Sequence, residues 1–397
     1  MKYAIILPDG AADEPLPQLD GRTPLEVARL PNMDWIAQNG RLGRLVTCPA
    51  RYIPGTDVGT LTVFGYDPDV HYTGRAPIEA AAKGLHAGPD ELIFRCNFVT
   101  IADGVLRDYT GGHTTDAEAE RLIADLNRWF AGERCKFHVG VQYRNLMIAA
   151  GGSEFDLQPS CTPPHNIPNQ PVAAHRARGR GSARVLDLMD RARPLLHDHE
   201  INRLRREQDR PPVTDIWLWG EGPPARLDPF VERFGLRGAM ITAVDIIRGQ
   251  ALLMGMDLIA VPGATGLPDT DYAAKGRYAV AALDQYDLVA VHIEAPDEAA
   301  HSGDWQTKIK ALEQIDELVV GPVLEALRRH EHWRILVVPD HPTPCTTMAH
   351  SSEPPPFCLA GTGIAAVEGR PFSEREALAG GWLLERGYEL MGLFCRT

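Results

Sequence analysis

The feature that most restricts this chain is a series of short apolar runs separated by helical patterns. "YAIIL" (3–7), "DIWLW" (215–219), "AMITA" (239–243), "DLIAV" (257–261), "DLVAVHI" (287–293) and "RILVV" (334–338) have the length and make-up of buried strands. Between them, stretches such as "VDIIRGQALLMG" and "TKIKALEQIDELVVGPVLEALRR" repeat their apolar residues at helical spacing. Strand–helix alternation of this kind implies a mostly parallel sheet covered on both faces. In such sheets ligands bind beyond the carboxyl ends of the strands.

The middle third reads differently. "LIFRCNFVTI" and "KFHVGVQYRNLMIAA" look like strands of a smaller α+β unit, and "TDAE" between them is a capping-box signal for a helix after Thr115. Residues 162–183, rich in Pro, Gly and Arg, read as a surface loop or hinge. The expected layout is discontinuous: residues 1–74 and 186–397 form the main α/β domain, and 75–185 an inserted smaller domain.

Several of the strands end in residues able to bind cations. "AIILPDG" ends in Asp9, "AVHIEAPDEAAH" leads to Asp297 and His301, and "ILVVPDHPTP" ends in Asp340 and His341, with His350 following in "TTMAHSS". Asp297 and His301 are four residues apart, one turn of helix, so both can face one point. On its own that segment also reads as an ordinary helix start, with Pro296 in the first turn and acidic residues after it. Three such groups, each directly after a buried strand, are hard to explain as turns. Together they exceed the needs of one four-coordinate ion, and mixed carboxylate and imidazole ligands suit two divalent ions such as Zn, Mn, Mg or Co. Paired ions serve in-line displacement at phosphorus.

Such a site calls for a nucleophile. "RYIPGTDVGTLTVFGYDP" offers Thr56 after Gly55, and a hydroxyl at a helix start lies among free N–H groups suited to phosphate. The same Thr could instead cap the helix. No Walker A, GxGxxG or GxSxG pattern occurs, and the absence of CxPxR argues against a sulfatase.

A net charge of −13 counts against general affinity for nucleic acid or anionic membrane. Seven scattered cysteines without a CxxC point to a reducing compartment. With no secretory signal and no apolar stretch of spanning length, the expected location is the cytoplasm. The oligomeric state is not readable from the chain.

"PDGAADEPLPQLDGRTPLEVARLPNMDWIAQNG", "PGTDVGTLTVFGYDP", "YTGRAPIEAAAKGL", "IEAPDEAAH" and "PDHPTP" resemble the archaeal-type, cofactor-independent phosphoglycerate mutases of the alkaline phosphatase superfamily. The likeness covers nearly the whole chain and is closest to a bacterial branch, some of whose members have been proposed to be homoserine kinases. It implies an alkaline phosphatase-like α/β sandwich with an inserted domain that closes over a small phosphorylated substrate. It implies one ion on Asp9, Thr56, Asp340 and His341 and a second on Asp297, His301 and His350. It implies that the hydroxyl of Thr56, where most relatives have Ser, is phosphorylated in a ping-pong transfer. Arg75, Arg95, His113 and Lys275 are its candidate binders of phosphate or carboxylate, each equally readable as a structural ion pair or surface residue. The implied activity is interconversion of 3-phosphoglycerate and 2-phosphoglycerate without 2,3-bisphosphoglycerate or a nucleotide. The competing readings are a homoserine kinase using ATP and a binding protein on an inactive phosphatase scaffold; the full ligand set argues against the latter.

Overall fold

A computed structural model describes residues 1–151, 160–367 and 369–395. In chain order its strands are β1 (Lys2–Pro8), β2 (Arg41–Leu45), β3 (Glu91–Ala102), β4 (Val105–Asp108), β5 (Cys135–Val141), β6 (Arg144–Ala150), β7 (Asp215–Gly222), β8 (Gly238–Ile241), β9 (Asp257–Leu258), β10 (Leu288–Ile293), β11 (Trp333–Val337), β12 (Pro356–Gly361) and β13 (Leu383–Leu384). The chain divides into two compact units, one of residues Met1–Tyr72 with Leu227–Thr397 and one of Thr73–Arg226.

The larger unit holds an eight-stranded sheet in the order β13-β2-β12-β11-β1-β10-β8-β9. Its centre is parallel: β1 lies between β10 and β11, and β8 extends the parallel set beyond β10. Only β12 runs against its neighbours. These central strands are apolar on both faces because helices cover both; Ile6, Val291, Val337 and Ile241 are fully buried. This is the α/β architecture expected from the alternation. The parallel register brings the carboxyl ends of β1, β10 and β11 side by side, so the segments leaving them begin at one edge.

The smaller unit is an α+β body on a five-stranded sheet. Long β3 pairs antiparallel with β6 and β7, β4 joins its last residues, and β5 pairs with β6. The helix Asp116–Trp129 begins with the capping box expected at Thr115 and Glu118. Two sequence readings need correction here. "DIWLW", assigned from its apolar run to the larger domain, is β7 and pairs with β3 over Ile93–Val99, so this unit runs to Arg226. The stretch 162–183, read as a surface loop or hinge, is a largely exposed loop, but Ile167, Val172 and Ala177 anchor it in the core of the smaller unit, so the hinge alternative falls. Among the described residues no helix is long and apolar enough to cross a membrane.

Candidate active site

β1 delivers Asp9, β11 is followed by Asp340 and His341, and β10 is followed by Glu294 and the helix Ala295–His301. Among the described residues three groups of ligand-type side chains form, Asp9–Asp340–His341, Asp297–His301–His350 and Asp9–His292–Glu294, each with donor atoms within 4.8 Å of one another. In the first, fully buried, His341 Nε2 lies 3.1 Å from Asp340 Oδ2 and 3.5 Å from Asp9 Oδ1. In the second, His301 Nε2 is 3.1 Å from Asp297 Oδ2 and His350 Nε2 is 3.5 Å from Asp297 Oδ1. The groups adjoin, with the rings of His341 and His350 4.0 Å apart.

Thr56 is the first residue of the helix Thr56–Val63. The cap position belongs to Gly55, and no side-chain capping bond forms there. The Thr56 hydroxyl instead faces His341 Nε2 at 3.3 Å. Gly59 permits this approach: a Cβ there would stand 2.3 Å from the Asp340 carbonyl oxygen. Gly10, at φ +58°, serves the other side; a Cβ on it would meet Asp297 Oδ1 and Thr343 Oγ1 at 2.6 and 2.7 Å.

The donor set fits divalent cations. Buried Asp9 Oδ1 and Asp340 Oδ2 have no hydrogen-bond partner. His350 Nδ1 is 3.1 Å from the Pro54 carbonyl and His301 Nδ1 is 2.9 Å from the Met348 carbonyl, contacts that require N–H on those nitrogens. Their Nε2 atoms then point at each other, 3.0 Å apart. Carboxylate oxygens and imidazole nitrogens turned toward common points are what zinc- or manganese-type ions take as ligands.

The electrostatics agree. Burial, then the carboxylates of Asp340, Glu294 and Asp297, push Asp9 well above the usual carboxylate range. Burial acts on Asp297 the same way, but hydrogen bonds from His301 and His350 outweigh it and hold the group well below that range. The Asp297 hydrogen bond in turn raises His301 to about 9 against the effect of burial. Proton and cation therefore compete for the same nitrogen.

Two participants were not read from the sequence as site residues. His292, inside the apolar run of β10, is fully buried and lies 2.7 Å from Asp9 Oδ2 and 3.5 Å from Glu294 Oε2. Burial, then Asp297, raises Glu294 to about 8. Of the four candidate substrate binders, Lys275 lies at this edge: its ammonium donates to the His292 carbonyl at 3.2 Å, and burial lowers it to about 8 although Glu294 opposes the shift. The other three belong to the smaller unit. Arg75 and Arg95 converge on Glu79, at 3.2 and 3.0 Å, with Arg95 buried over the Trp219 ring. His113 is exposed on a left-handed turn at φ 52°.

Fold and cluster together define an α/β enzyme. The family described as 2,3-bisphosphoglycerate-independent phosphoglycerate mutase matches residues 37–202. A protein of that name from Methanothrix thermoacetophila is 47% identical over 99% of both chains, and mutase 2 of Methanothermobacter thermautotrophicus is 46% identical over 98% of this chain and 97% of its own. Among solved structures, a protein from Pyrococcus horikoshii matches with a TM-score of 0.81 at 29% identity, covering 99% of this chain and 96% of that one. The cofactor-independent phosphoglycerate mutase of Thermoplasma acidophilum matches with a TM-score of 0.65 at 25% identity over 99% of both. The chain belongs to the family of 2,3-bisphosphoglycerate-independent phosphoglycerate mutases.

Proposed function

We propose that this protein interconverts 3-phosphoglycerate and 2-phosphoglycerate through a phosphothreonine at Thr56. The observation that carries the reading is the Thr56 hydroxyl, uncapped and aimed at His341 beside two carboxylate–imidazole groups. Asp9, Asp340, His341 and Thr56 would hold one divalent ion and Asp297, His301 and His350 a second. When bound, the ions lower the hydroxyl pKa and offset the charge on the phosphoryl oxygens.

In the forward half, Thr56 Oγ loses its proton and bonds to phosphorus. The bond from phosphorus to the substrate's ester oxygen breaks, and that oxygen leaves with a proton as glycerate. Glycerate turns while it stays bound. Its other hydroxyl then gives up a proton and takes the phosphoryl group, and Thr56 regains its own proton. Lys275, Arg75, Arg95 and His113 are our candidates for holding substrate phosphate and carboxylate. Arg95 is the most constrained of them, already paired and stacked. The phosphothreonine survives only if water is kept away, a role we assign to the inserted unit.

The names of the relatives at 47% and 46% identity favour the mutase over the ATP–homoserine kinase reading. An enolase-coupled assay with 3-phosphoglycerate, run beside an ATP-plus-homoserine assay, tests the choice. Turnover in the first that is lost on chelation and regained with Mn or Zn is expected. Turnover only in the second would replace the mutase, and chelator-resistant turnover would remove the ions from the mechanism.

A further inference from the structure

Thr343 stands between the two cation-binding groups and touches both. It is fully buried. Its hydroxyl donates to Asp297 Oδ1 at 2.5 Å, and the same oxygen lies 3.2 Å from His341 Nδ1. A hydroxyl has one proton, and here it goes to the carboxylate. Toward His341 the oxygen can then only accept, so the hydrogen of that contact is on Nδ1. With Nδ1 carrying the hydrogen, the neutral ring leaves Nε2 bare, and Nε2 is the atom facing Asp9, Asp340 and Thr56.

Thr343 is itself held from three sides. Its N–H donates to the Ala12 carbonyl at 3.1 Å. The buried ammonium of Lys308 donates to the Thr343 and Ala12 carbonyls at 2.9 and 3.1 Å and to Asp13 Oδ2 at 2.8 Å. Gly10 leaves the space that the hydroxyl fills. The loops after β1 and β11 are thus tied together by the Lys308 ammonium.

We propose that Thr343 is a positioning residue that fixes the ligand-competent tautomer of His341 and orients Asp297, so that one hydroxyl couples the two cation sites. The coupling rests on the reading of these groups as cation ligands; the tautomer does not, and the experiment separates them.

Protein labelled with ¹⁵N at histidine is examined by long-range proton–nitrogen spectroscopy without metal and at neutral to mildly alkaline pH, with the His341 signals assigned by their loss in His341→Gln. The wild type should show hydrogen on Nδ1. Thr343→Val, of nearly the same shape, should lose that single tautomer, and Thr343→Ser should restore it. Titration with Mn or Zn should show both binding steps weakened about 10- to 100-fold in Thr343→Val and recovered in Thr343→Ser. Hydrogen on Nε2 of wild-type His341 overturns the proposal whether or not any variant folds. Wild-type affinity at both steps in folded Thr343→Val overturns the coupling. A wild type that binds neither ion would remove the cation reading, while its His341 tautomer still decides the role of Thr343.

Discussion

A hydroxyl can sit at a helix start to cap it or to react, and Thr56 separates the two by position. The cap is Gly55, and the Thr56 side chain is turned to His341. Thr56→Ala should therefore lose little stability and nearly all turnover, by several orders of magnitude, because a covalent route leaves no parallel path. Thr56→Ser keeps the attacking oxygen and should keep the reaction. Turnover of folded, metal-loaded Thr56→Ala near that of the wild type would take Thr56 out of the mechanism. Asp9, Asp340, His341, Asp297 and His301 stand out in the sequence as ligand types close behind apolar runs, and His350 in the loop beyond β11; the structure brings all six to one edge. His292 does not stand out: inside "DLVAVHI" it reads as one more strand residue, and only the parallel pairing of β10 with β1 sets it against Asp9. Thr343 was hidden for another reason. A small polar residue in a loop carries no local signal, and its meaning comes from two partners that lie 46 and 2 positions away in the chain.

Elements meet at this edge through close backbone approach, and Gly59 is one place where it is tight. Alanine in a helix interior is ordinarily better than glycine by about 1 kcal/mol. Here the added Cβ would stand 2.3 Å from the Asp340 carbonyl oxygen, a backbone atom that cannot swing aside. The helix Thr56–Val63 would have to move off the end of β11, and Thr56 would move with it. Gly59→Ala should therefore destabilise by about 1–3 kcal/mol, as overpacked cores do. It should also lower turnover more than the stability loss accounts for. Urea unfolding and steady-state kinetics on the same sample check both; a more stable variant with undiminished turnover would show that the contact is slack. Strands were easier to find than their partners. The run "DIWLW" is a strand as read, but nothing in an apolar run says which sheet will take it. β3 takes it because β3 is long enough to pair on both edges, with β6 on one and β7 on the other.

Across the whole molecule, the boundary of the inserted unit was the part least visible in the sequence. Pro, Gly and Arg in 162–183 imitate a hinge, whereas Ile167, Val172 and Ala177 turn inward. Segments near the start and the end of the chain are joined in the larger unit by a half-buried acid that no pattern announced. Glu374, at the start of the helix Glu374–Ala379, accepts from the Thr23 hydroxyl at 2.6 Å and from the Asp13 N–H at 2.9 Å, across more than 350 residues in both cases. Burial is the largest influence on its carboxyl and raises it from 4.5 to about 7; the bonds from Thr23 and Asp13 and the charge of Lys308 oppose the shift without cancelling it. Between those values the folded chain keeps the Glu374 proton while the unfolded chain has lost it, so folding takes up a proton. The stability this group confers is then fully present below about 4.5 and is lost as pH rises through about 7. Glu374→Gln keeps a neutral group of the same shape, and the Thr23 hydroxyl can accept from its amide. The urea midpoint of the wild type should carry a downward component from pH 4.5 to 7 that the variant lacks, and the two curves should diverge most above pH 7, where the wild type holds a half-buried charge. Parallel curves across that range would mean that Glu374 is ionised in the folded protein throughout, with the Thr23 and Asp13 donors and Lys308 outweighing burial.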